Sequence, residues 1–194
     1  LRLVGHGQVA TVFGLLRPGV VAVDVDMARG EAVVGDLVAW CVQADLWHVV
    51  RRSGQEGHAH VLIVVGDRIN PQGFKNTARM IEQEDFAGLQ ALAVKQVGAG
   101  AQYLDVTVGP RAYKDPGFLQ KVVVAIQDAV DVPLCLDYPV KDIVAACLDV
   151  YDTAKCRGRA PLINSIAETR MEMVDLLDMM PCQVVVMTSE YLDE

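Results

Sequence analysis

The chain has 194 residues, of which 52% are apolar and 22% are charged, and its formal net charge is −8 at pH 7. This composition is typical of a folded globular domain and excludes the disordered, collagen-like and coiled-coil classes. An acidic surface repels phosphate backbones, so we expect no general nucleic-acid binding. No apolar run reaches the roughly 18–20 residues that a membrane span needs, so we expect no membrane association.

The cysteines form an odd and scattered set. They are Cys41, Cys135, Cys147, Cys156 and Cys182, and no two of them form a CxxC pair. This pattern is typical of buried or free thiols in a reducing compartment. We therefore expect free thiols and a cytoplasmic protein, and no metal site is predicted.

Composition changes near residue 60. All 4 histidines and both tryptophans lie in the first 60 residues, whereas every lysine lies after them. This change predicts an N-terminal extension of uncertain structure at 1–60, followed by a second unit at 61–194. The stretch Arg51–Gly57 predicts a polar linker, and His58–His60 is interpreted as its solvated continuation because no further metal ligands are found.

The extension contains two weak patterns. Gly5–Ala10 fits G-x-G-x-x-A, and Val20–Val25 reads as a strand that is followed by acidic residues. Together they have the form of a dinucleotide-binding start, but the favoured interpretation is a small βαβ-like or poorly ordered segment. A helix over Glu31–Val50 would place Trp40 and Trp47 on one face for packing. An alternative is that this region supplies barrel strands in permuted order.

After residue 60, apolar strands alternate with helices. The predicted elements are strand 61–65, helix 76–97, strand 103–108, helix 116–130, strand 134–136, helix 141–153, strand 162–163, helix 168–177 and strand 184–187. Asn76 is predicted to cap the first helix, and Pro116 to lie in the first turn of the second. The alternation predicts a parallel sheet with helices outside it.

Polar residues follow the predicted strands at the same end. They are Asp67 and Asn70, Asp105 and Thr107, Asp137, Asn164 and Ser165, and Thr188 and Ser189. In a (β/α) barrel these ends share one face, and that face carries the active site. Carboxylates accept paired N–H donors and amides both donate and accept, so the set suits a flat, amide-like heterocycle. The alternative for each residue is a local role as a helix cap, a turn residue or, for Asp67, a surface pair with Arg68.

Four segments carry a family resemblance. They are Gly66–Asn70, Leu104–Pro110, Leu134–Asp137 and Leu162–Ser165. In this order they resemble the pterin-binding barrel family, and they are most similar to the methyltetrahydrofolate:corrinoid/iron–sulfur protein methyltransferases. The folate domain of cobalamin-dependent methionine synthase and dihydropteroate synthase are related. The resemblance covers about residues 61–190.

The resemblance implies a parallel (β/α) barrel with the pterin ring in its mouth. It implies that Asp137 and Asn164 hydrogen-bond the pterin, and it assigns no catalytic residue. The other candidate pterin-binding residues are Asn70, Asp105, Asp67 and Ser165. This sequence departs from the family pattern at three places. The family usually has Glu at the position of Asp67, Asn at the position of Thr107, and small polar residues at Tyr138–Val140.

The resemblance also implies a reaction. A methyl group would pass between N5 of methyltetrahydrofolate and the cobalt of a corrinoid, cobalamin or a relative, held by a partner protein. N5 is a poor leaving group, so it must gain positive character by protonation or strong hydrogen bonding. An alternative is dihydropteroate-synthase-like condensation, although Ile69–Gln72 lacks the Asn–Val–Thr–Pro–Asp that opens that branch.

Chain length sets a further expectation. A complete (β/α)₈ barrel needs roughly 250 residues, whereas the segment from residue 61 supplies about five strands and four helices. We expect an incomplete barrel: a fragment, a chain completed by a homodimer partner or another chain, or an unusually reduced member of the family. A non-catalytic half-barrel that needs such a partner is the alternative from a different functional class.

Overall fold

The computed structural model describes the backbone of residues 11–17, 20–26, 49–52 and 58–187, and side chains from Val64 to Met187. The strands are β1 (Thr11–Arg17), β2 (Val20–Asp26), β3 (Val49–Arg52), β4 (His58–Ile69), β5 (Tyr103–Val106), β6 (Leu134–Asp137), β7 (Leu162–Ile166) and β8 (Gln183–Val186). The helices are α1 (Lys75–Glu82), α2 (Phe86–Gly98), α3 (Arg111–Lys114), α4 (Phe118–Gln127) and α5 (Lys141–Val150). Two 3-10 segments span Thr153–Cys156 and Glu168–Asp178.

Strands β4 to β8 form the parallel part of one sheet. They lie side by side in chain order, and each pair of neighbours is parallel. Helical segments lie between successive strands along the chain. These observations confirm the predicted α/β class and an architecture consistent with an incomplete barrel.

The N-terminal strands join the same sheet in antiparallel fashion. The first half of the 12-residue β4 pairs with β2 on one side and β3 on the other, and β1 pairs with β2. The linker interpretation of His58–His60 is therefore wrong, because all three residues pair with β2 and the last two also pair with β3, with Asp24 and Arg51 both opposite His60. A division of the chain at residue 60 would fall inside β4 and stays a prediction.

One prediction for the extension is confirmed, and another is wrong. Val20–Val25 is a strand within β2, as predicted. Thr11–Arg17, the stretch that a βαβ-like start would fold into a helix, is instead a strand. Gly5–Ala10 lies outside the described residues, as does most of the predicted helix at 31–50, whose last two residues begin β3. Strand β1, at one edge of the sheet, lies close to β8 at the other.

The parallel sheet is strongly curved. The Tyr103 hydroxyl on β5 donates a hydrogen bond of 2.5 Å to Gln183 Oε1 on β8. Three strand spacings separate these strands, roughly 14 Å on a flat sheet, which is beyond the reach of the two side chains together at that geometry. The face that carries Tyr103 is therefore concave, as in the interior of a barrel.

The main hydrophobic core lies on the opposite, convex face. Alternation along the strands puts Leu104 and Val106, and Leu134 and Leu136, into the core against the helices. Tyr103, Asp105, Cys135 and Asp137 consequently point to the concave face. The packing that covers the convex face thus fixes which polar residues enter the interior.

Several predicted helices differ in detail. The single helix at 76–97 is two helices, because Glu84 has φ of 52° and the Asp85 side chain caps α2 by accepting from the Gly88 N–H at 2.8 Å. The residue before α1 is Phe74, so the prediction of Asn76 as its cap is wrong. Gly117 precedes α4, so Pro116 lies outside that helix.

The last predicted helix, 168–177, is a 3-10 segment that is interrupted at Arg170, whose φ and ψ are −139° and 43°. Throughout the residues that the structure describes, no helix has the length and apolar character needed to cross a bilayer.

Candidate functional site

The candidate site lies at the carboxyl ends of β4 to β7. Asp137 at the end of β6 lies directly opposite Asn164 on β7, and Asp105 on β5 lies opposite Cys135 on β6. Asp67 lies near the end of β4. The structure therefore brings four predicted residues, Asp67, Asp105, Asp137 and Asn164, to one end of the sheet.

Asp105 is the hub of this group. The donor groups of Cys135 on the neighbouring strand and of Asn164 two strands away act on its carboxylate and lower its pKa. Asp105, Cys135 and Asn164 thus lie on the same concave face.

The cluster concentrates negative charge in a buried place. Burial, then the Asp137 carboxylate and, more weakly, Asp67 raise the pKa of Asp105 to about 7, against opposing hydrogen bonds from Cys135 and Asn164. Burial disfavours the ionised form, and like charges add to that effect. Asp105 is therefore about half protonated near neutral pH.

Asp137 differs from Asp105 because a cation is near it. Burial raises the pKa of Asp137, and the positive charge of Arg170 opposes this rise. Two carboxyl groups in the same site thus differ in their charged neighbours: Asp137 acts on Asp105, whereas Arg170 acts on Asp137.

Arg170 is held by Ser165. The Arg170 Nη2 group donates a hydrogen bond of 2.8 Å to Ser165 Oγ, and the Ser165 hydroxyl lies 3.1 Å from Met187 Sδ. Ser165 is almost fully buried, with 4% of its surface exposed. In this structure Ser165 therefore holds Arg170, and direct pterin binding by Ser165 stays a prediction.

Cys135 is a structural thiol. Burial, followed by the charge of Asp105 and the hydrogen bond to it, raises the pKa of Cys135 well above its ordinary value. A protonated, buried thiol is a poor nucleophile. Cys135, Cys147, Cys156 and Cys182 are all free, which confirms the prediction for these four; Cys41 lies outside the described residues.

The residues after β4 have local roles as well. Asn70 Oδ1 accepts a hydrogen bond of 2.8 Å from the Gln72 N–H, which is a local turn role. Asp67 Oδ1 lies 3.8 Å from Arg68 Nε, so its surface pair exists alongside its influence on Asp105. A pterin contact by either residue stays a prediction.

An aromatic pair lines the rim after β5 and β6. The Tyr138 hydroxyl donates to the Gly109 carbonyl at 3.3 Å, and its ring lies 5.9 Å from that of Tyr113. Thr107, buried, accepts from the Gly109 N–H at 3.4 Å. Burial and the neighbouring Tyr113 raise the pKa of Tyr138 to about 12. The residues that depart from the family pattern therefore build a neutral, partly aromatic rim.

Sequence reasoning missed Cys135 and Arg170. Aligning the ends of β5 and β6 would have placed Cys135 beside Asp105. Arg170 gave no such signal, since it lies in a segment predicted to be an ordinary helix. Thr188 and Ser189 lie outside the described residues. Within the described part of the chain, no group of His, Cys, Asp and Glu side chains is arranged to hold a metal ion.

Comparison with known proteins adds one informative relative. No protein-family model matches the chain. A methylcorrinoid:tetrahydrofolate methyltransferase from Eubacterium limosum is 31% identical to it over 116 residues. The matched region is 60% of this chain but only 40% of that protein. The chain is therefore similar to less than half of the length of that methyltransferase.

Proposed function

We propose that the chain provides the pterin-binding part of a methyltransferase that moves a methyl group between N5 of tetrahydrofolate and a corrinoid on a partner protein. The observation that carries this proposal is the direct opposition of Asp137 and Asn164 at the carboxyl ends of β6 and β7. The relative from Eubacterium limosum is named as a methylcorrinoid:tetrahydrofolate methyltransferase, and this name supports the choice of substrates.

The chemistry of the site fits a pterin. A pterin ring edge offers adjacent N–H donors, which an ionised Asp137 can accept as a pair. Asn164 can donate to the ring and accept from it, as a ring with both donors and acceptors requires. The neighbouring Arg170 favours the ionised form of Asp137. In this proposal Asp137 and Asn164 bind and orient the ring.

Asp105 has a different proposed role. With a pKa raised to about 7 by burial and by Asp137, it holds or releases a proton near neutral pH. N5 must gain positive character to release a methyl group and lose it after accepting one. A carboxyl that exchanges its proton near pH 7 can supply or take up that charge, directly or through water.

The corrinoid belongs to the partner in this proposal and supplies the cobalt that gives or receives the methyl group. The partner must approach the carboxyl ends of the strands, where Tyr113 is 67% exposed. In this proposal a homodimer partner or another chain completes the barrel. The chain's own residues bind the pterin and manage its proton.

Calorimetric titration of the full chain with tetrahydrofolate tests the binding step. We expect binding by the wild type and at least tenfold weaker binding by Asp137→Ala and Asn164→Ala, because each loses a buried hydrogen-bonding partner. Asp149→Asn is the matched control, since Asp149 is exposed on α5. Absence of tetrahydrofolate binding, or equal binding by all variants, would refute the proposal.

Transfer itself is measured by the visible absorbance change of methylcobalamin mixed with tetrahydrofolate and the chain. Binding with transfer supports the enzyme. Binding without transfer, even after the partner corrinoid protein is added, would instead indicate a non-catalytic half-barrel. Product formation from a pterin pyrophosphate and p-aminobenzoate would indicate dihydropteroate-synthase-like condensation.

A further inference from the structure

Strand β4 contains an extra residue where it passes the candidate site. Gly66 pairs with Leu104, and Ile69 pairs with Val106. Two residues of β4 therefore lie opposite the single residue of β5 between these pairs, which is Asp105. An insertion of this kind is a β-bulge, a feature that is frequent next to active sites because it changes the direction of side chains.

The two residues in the bulge are Asp67 and Arg68, and side chains from two helices hold the backbone of Arg68. The Arg68 N–H donates a hydrogen bond of 2.8 Å to Gln96 Oε1 on α2. The Arg68 carbonyl accepts a hydrogen bond of 2.8 Å from Thr77 Oγ1 on α1. Gln96 and Thr77 are both buried. A bulge disrupts the ladder of the sheet locally, so its buried backbone groups need other partners, and these two side chains supply them.

The Gln96 amide stays at this place although one of its atoms is unsatisfied. Gln96 Nε2 is buried and has no hydrogen-bond partner among the described residues. An unpaired buried amide is destabilising, and an apolar side chain would avoid that effect. The fit is also close, because a Cβ on Gly66 would lie 2.7 Å from Gln96 Oε1. The contribution of Gln96 that an apolar residue cannot make is the hydrogen bond to Arg68.

The bulge decides which side chains at the end of β4 face the core. Side chains alternate between the two faces of a strand, so one extra residue reverses the facing of those that follow it. With the bulge, Ile69 faces the same side as Val106 and is fully buried in the convex core. Without it, Arg68 would lie opposite Val106 and face the core, and Ile69 would face the concave side. Asp67 and Asn70, two candidate pterin-binding residues, flank this segment.

We propose that Gln96 and Thr77 are positioning residues that hold the bulge at Arg68 and so set the facing of the end of β4 at the pterin site. The placement of the bulge is a property of the chain without ligand, whereas its effect on the pterin rests on the proposed function. Both side chains belong to helices and act through the backbone of Arg68, so neither touches the ligand.

Gln96→Met in the full chain tests this proposal, because methionine has a similar length but lacks the amide oxygen. In amide hydrogen exchange followed by NMR, we expect the Arg68 amide to exchange about tenfold faster in the variant. The Leu104 amide, which donates to the Pro133 carbonyl, should exchange as in the wild type. Nuclear Overhauser contacts between Ile69 and Val106 should weaken, since these residues lie opposite each other only with the bulge in place.

Controls separate this effect from a general loss of stability. Gln90→Met makes the same change on the same helix and removes the 2.9 Å hydrogen bond to the Ala125 carbonyl, and it should leave the Arg68 amide unchanged. Gln96→Glu keeps an oxygen acceptor and should keep the exchange slow, although a buried carboxylate lowers stability. If Gln96→Met does not fold, Thr77→Val replaces it: this variant removes the donor to the Arg68 carbonyl, and the same changes are expected.

Two results would overturn the proposal. One is an Arg68 amide and Ile69 contacts that are unchanged in the folded Gln96→Met or Thr77→Val variant. The other is an equal acceleration of Arg68 exchange in Gln90→Met, which would indicate loosening of the whole helix layer.

Calorimetric titration with tetrahydrofolate addresses the pterin. We expect Gln96→Met to bind about tenfold more weakly than the wild type, and Gln96→Glu and Gln90→Met to bind as the wild type does. Affinities that instead follow the stabilities of the variants, with Gln96→Glu weakened as well, would indicate a merely structural role and contradict the proposal. Absence of binding by the wild type would refute the proposed function, whereas the exchange and the Ile69 contacts still decide whether Gln96 and Thr77 hold the bulge.

Discussion

Replacing Asp105 by Asn should make the stability of the chain less sensitive to pH. Burial and the neighbouring Asp137 carboxylate raise the pKa of Asp105 from 3.8 to about 7. The folded chain therefore binds a proton at Asp105 that the unfolded chain has already released between these values. The contribution of this proton to the free energy of unfolding is greatest at low pH and is lost as the pH rises through 7.

The size of the effect follows from the two pKa values. At about 1.4 kcal/mol per pH unit, the difference between 3.8 and about 7 corresponds to about 4 kcal/mol. About 3 kcal/mol of this falls between pH 5 and pH 8.5. Asparagine has nearly the same shape and never ionises, so Asp105→Asn avoids the cost of a buried carboxylate at high pH.

Urea unfolding of the wild type and Asp105→Asn at pH 5, 7 and 8.5 measures this difference. We expect the variant to gain about 3 kcal/mol relative to the wild type from pH 5 to pH 8.5. Asp149→Asn, an exposed aspartate on α5, should show no such trend. A difference in unfolding free energy between Asp105→Asn and the wild type that stays constant across this range would refute the electrostatic account of the cluster.

Three further predictions follow from the same geometry. Gly66→Ala should lower the unfolding free energy by about 1–3 kcal/mol, because the new Cβ would lie 2.7 Å from Gln96 Oε1 and 2.8 Å from Leu104 Cδ2. Gly98→Ala is the control, since a Cβ there meets nothing within 4 Å, and equal melting temperatures for the two variants would contradict this prediction. Tyr103→Phe should lower the free energy of unfolding in urea by about 1–2 kcal/mol, because it removes the 2.5 Å hydrogen bond to Gln183 that links β5 to β8. An unchanged unfolding midpoint would show that this hydrogen bond does not stabilise the curved sheet. Cys135 should resist iodoacetamide at pH 7.5 in the folded chain and react after urea unfolding, because burial and Asp105 raise the pKa of its thiol. Mass spectrometry measures the labelling, and rapid labelling of Cys135 in the folded chain would contradict this prediction.

The sequence predicted the parallel part of the fold because that part depends on short-range signals. Continuous apolar strands such as Leu134–Leu136, separated by amphipathic helices, allow few arrangements other than a covered parallel sheet. The end of each strand followed from the change from apolar to polar residues, so the convergence of Asp137 and Asn164 was predictable without knowing the curvature of the sheet.

Features that depend on long-range pairing were not predictable. His58–His60 and Arg51 read as linker because isolated polar residues give no sign of partners, and only pairing with β2 and β3 makes them strands. The break at Glu84 was missed because one left-handed residue outweighed a continuous helical pattern, although Asp85 three residues before Gly88 is a capping signal. Arg170 depends on a backbone interruption that no local pattern announces.

A crystal structure of the chain grown with tetrahydrofolate tests the central claim most directly. The account predicts the pterin ring in the concave end of the sheet, with its N–H edge within hydrogen-bonding distance of the Asp137 carboxylate and the Asn164 amide. A pterin bound elsewhere on the chain, or one that contacts neither side chain, would contradict it.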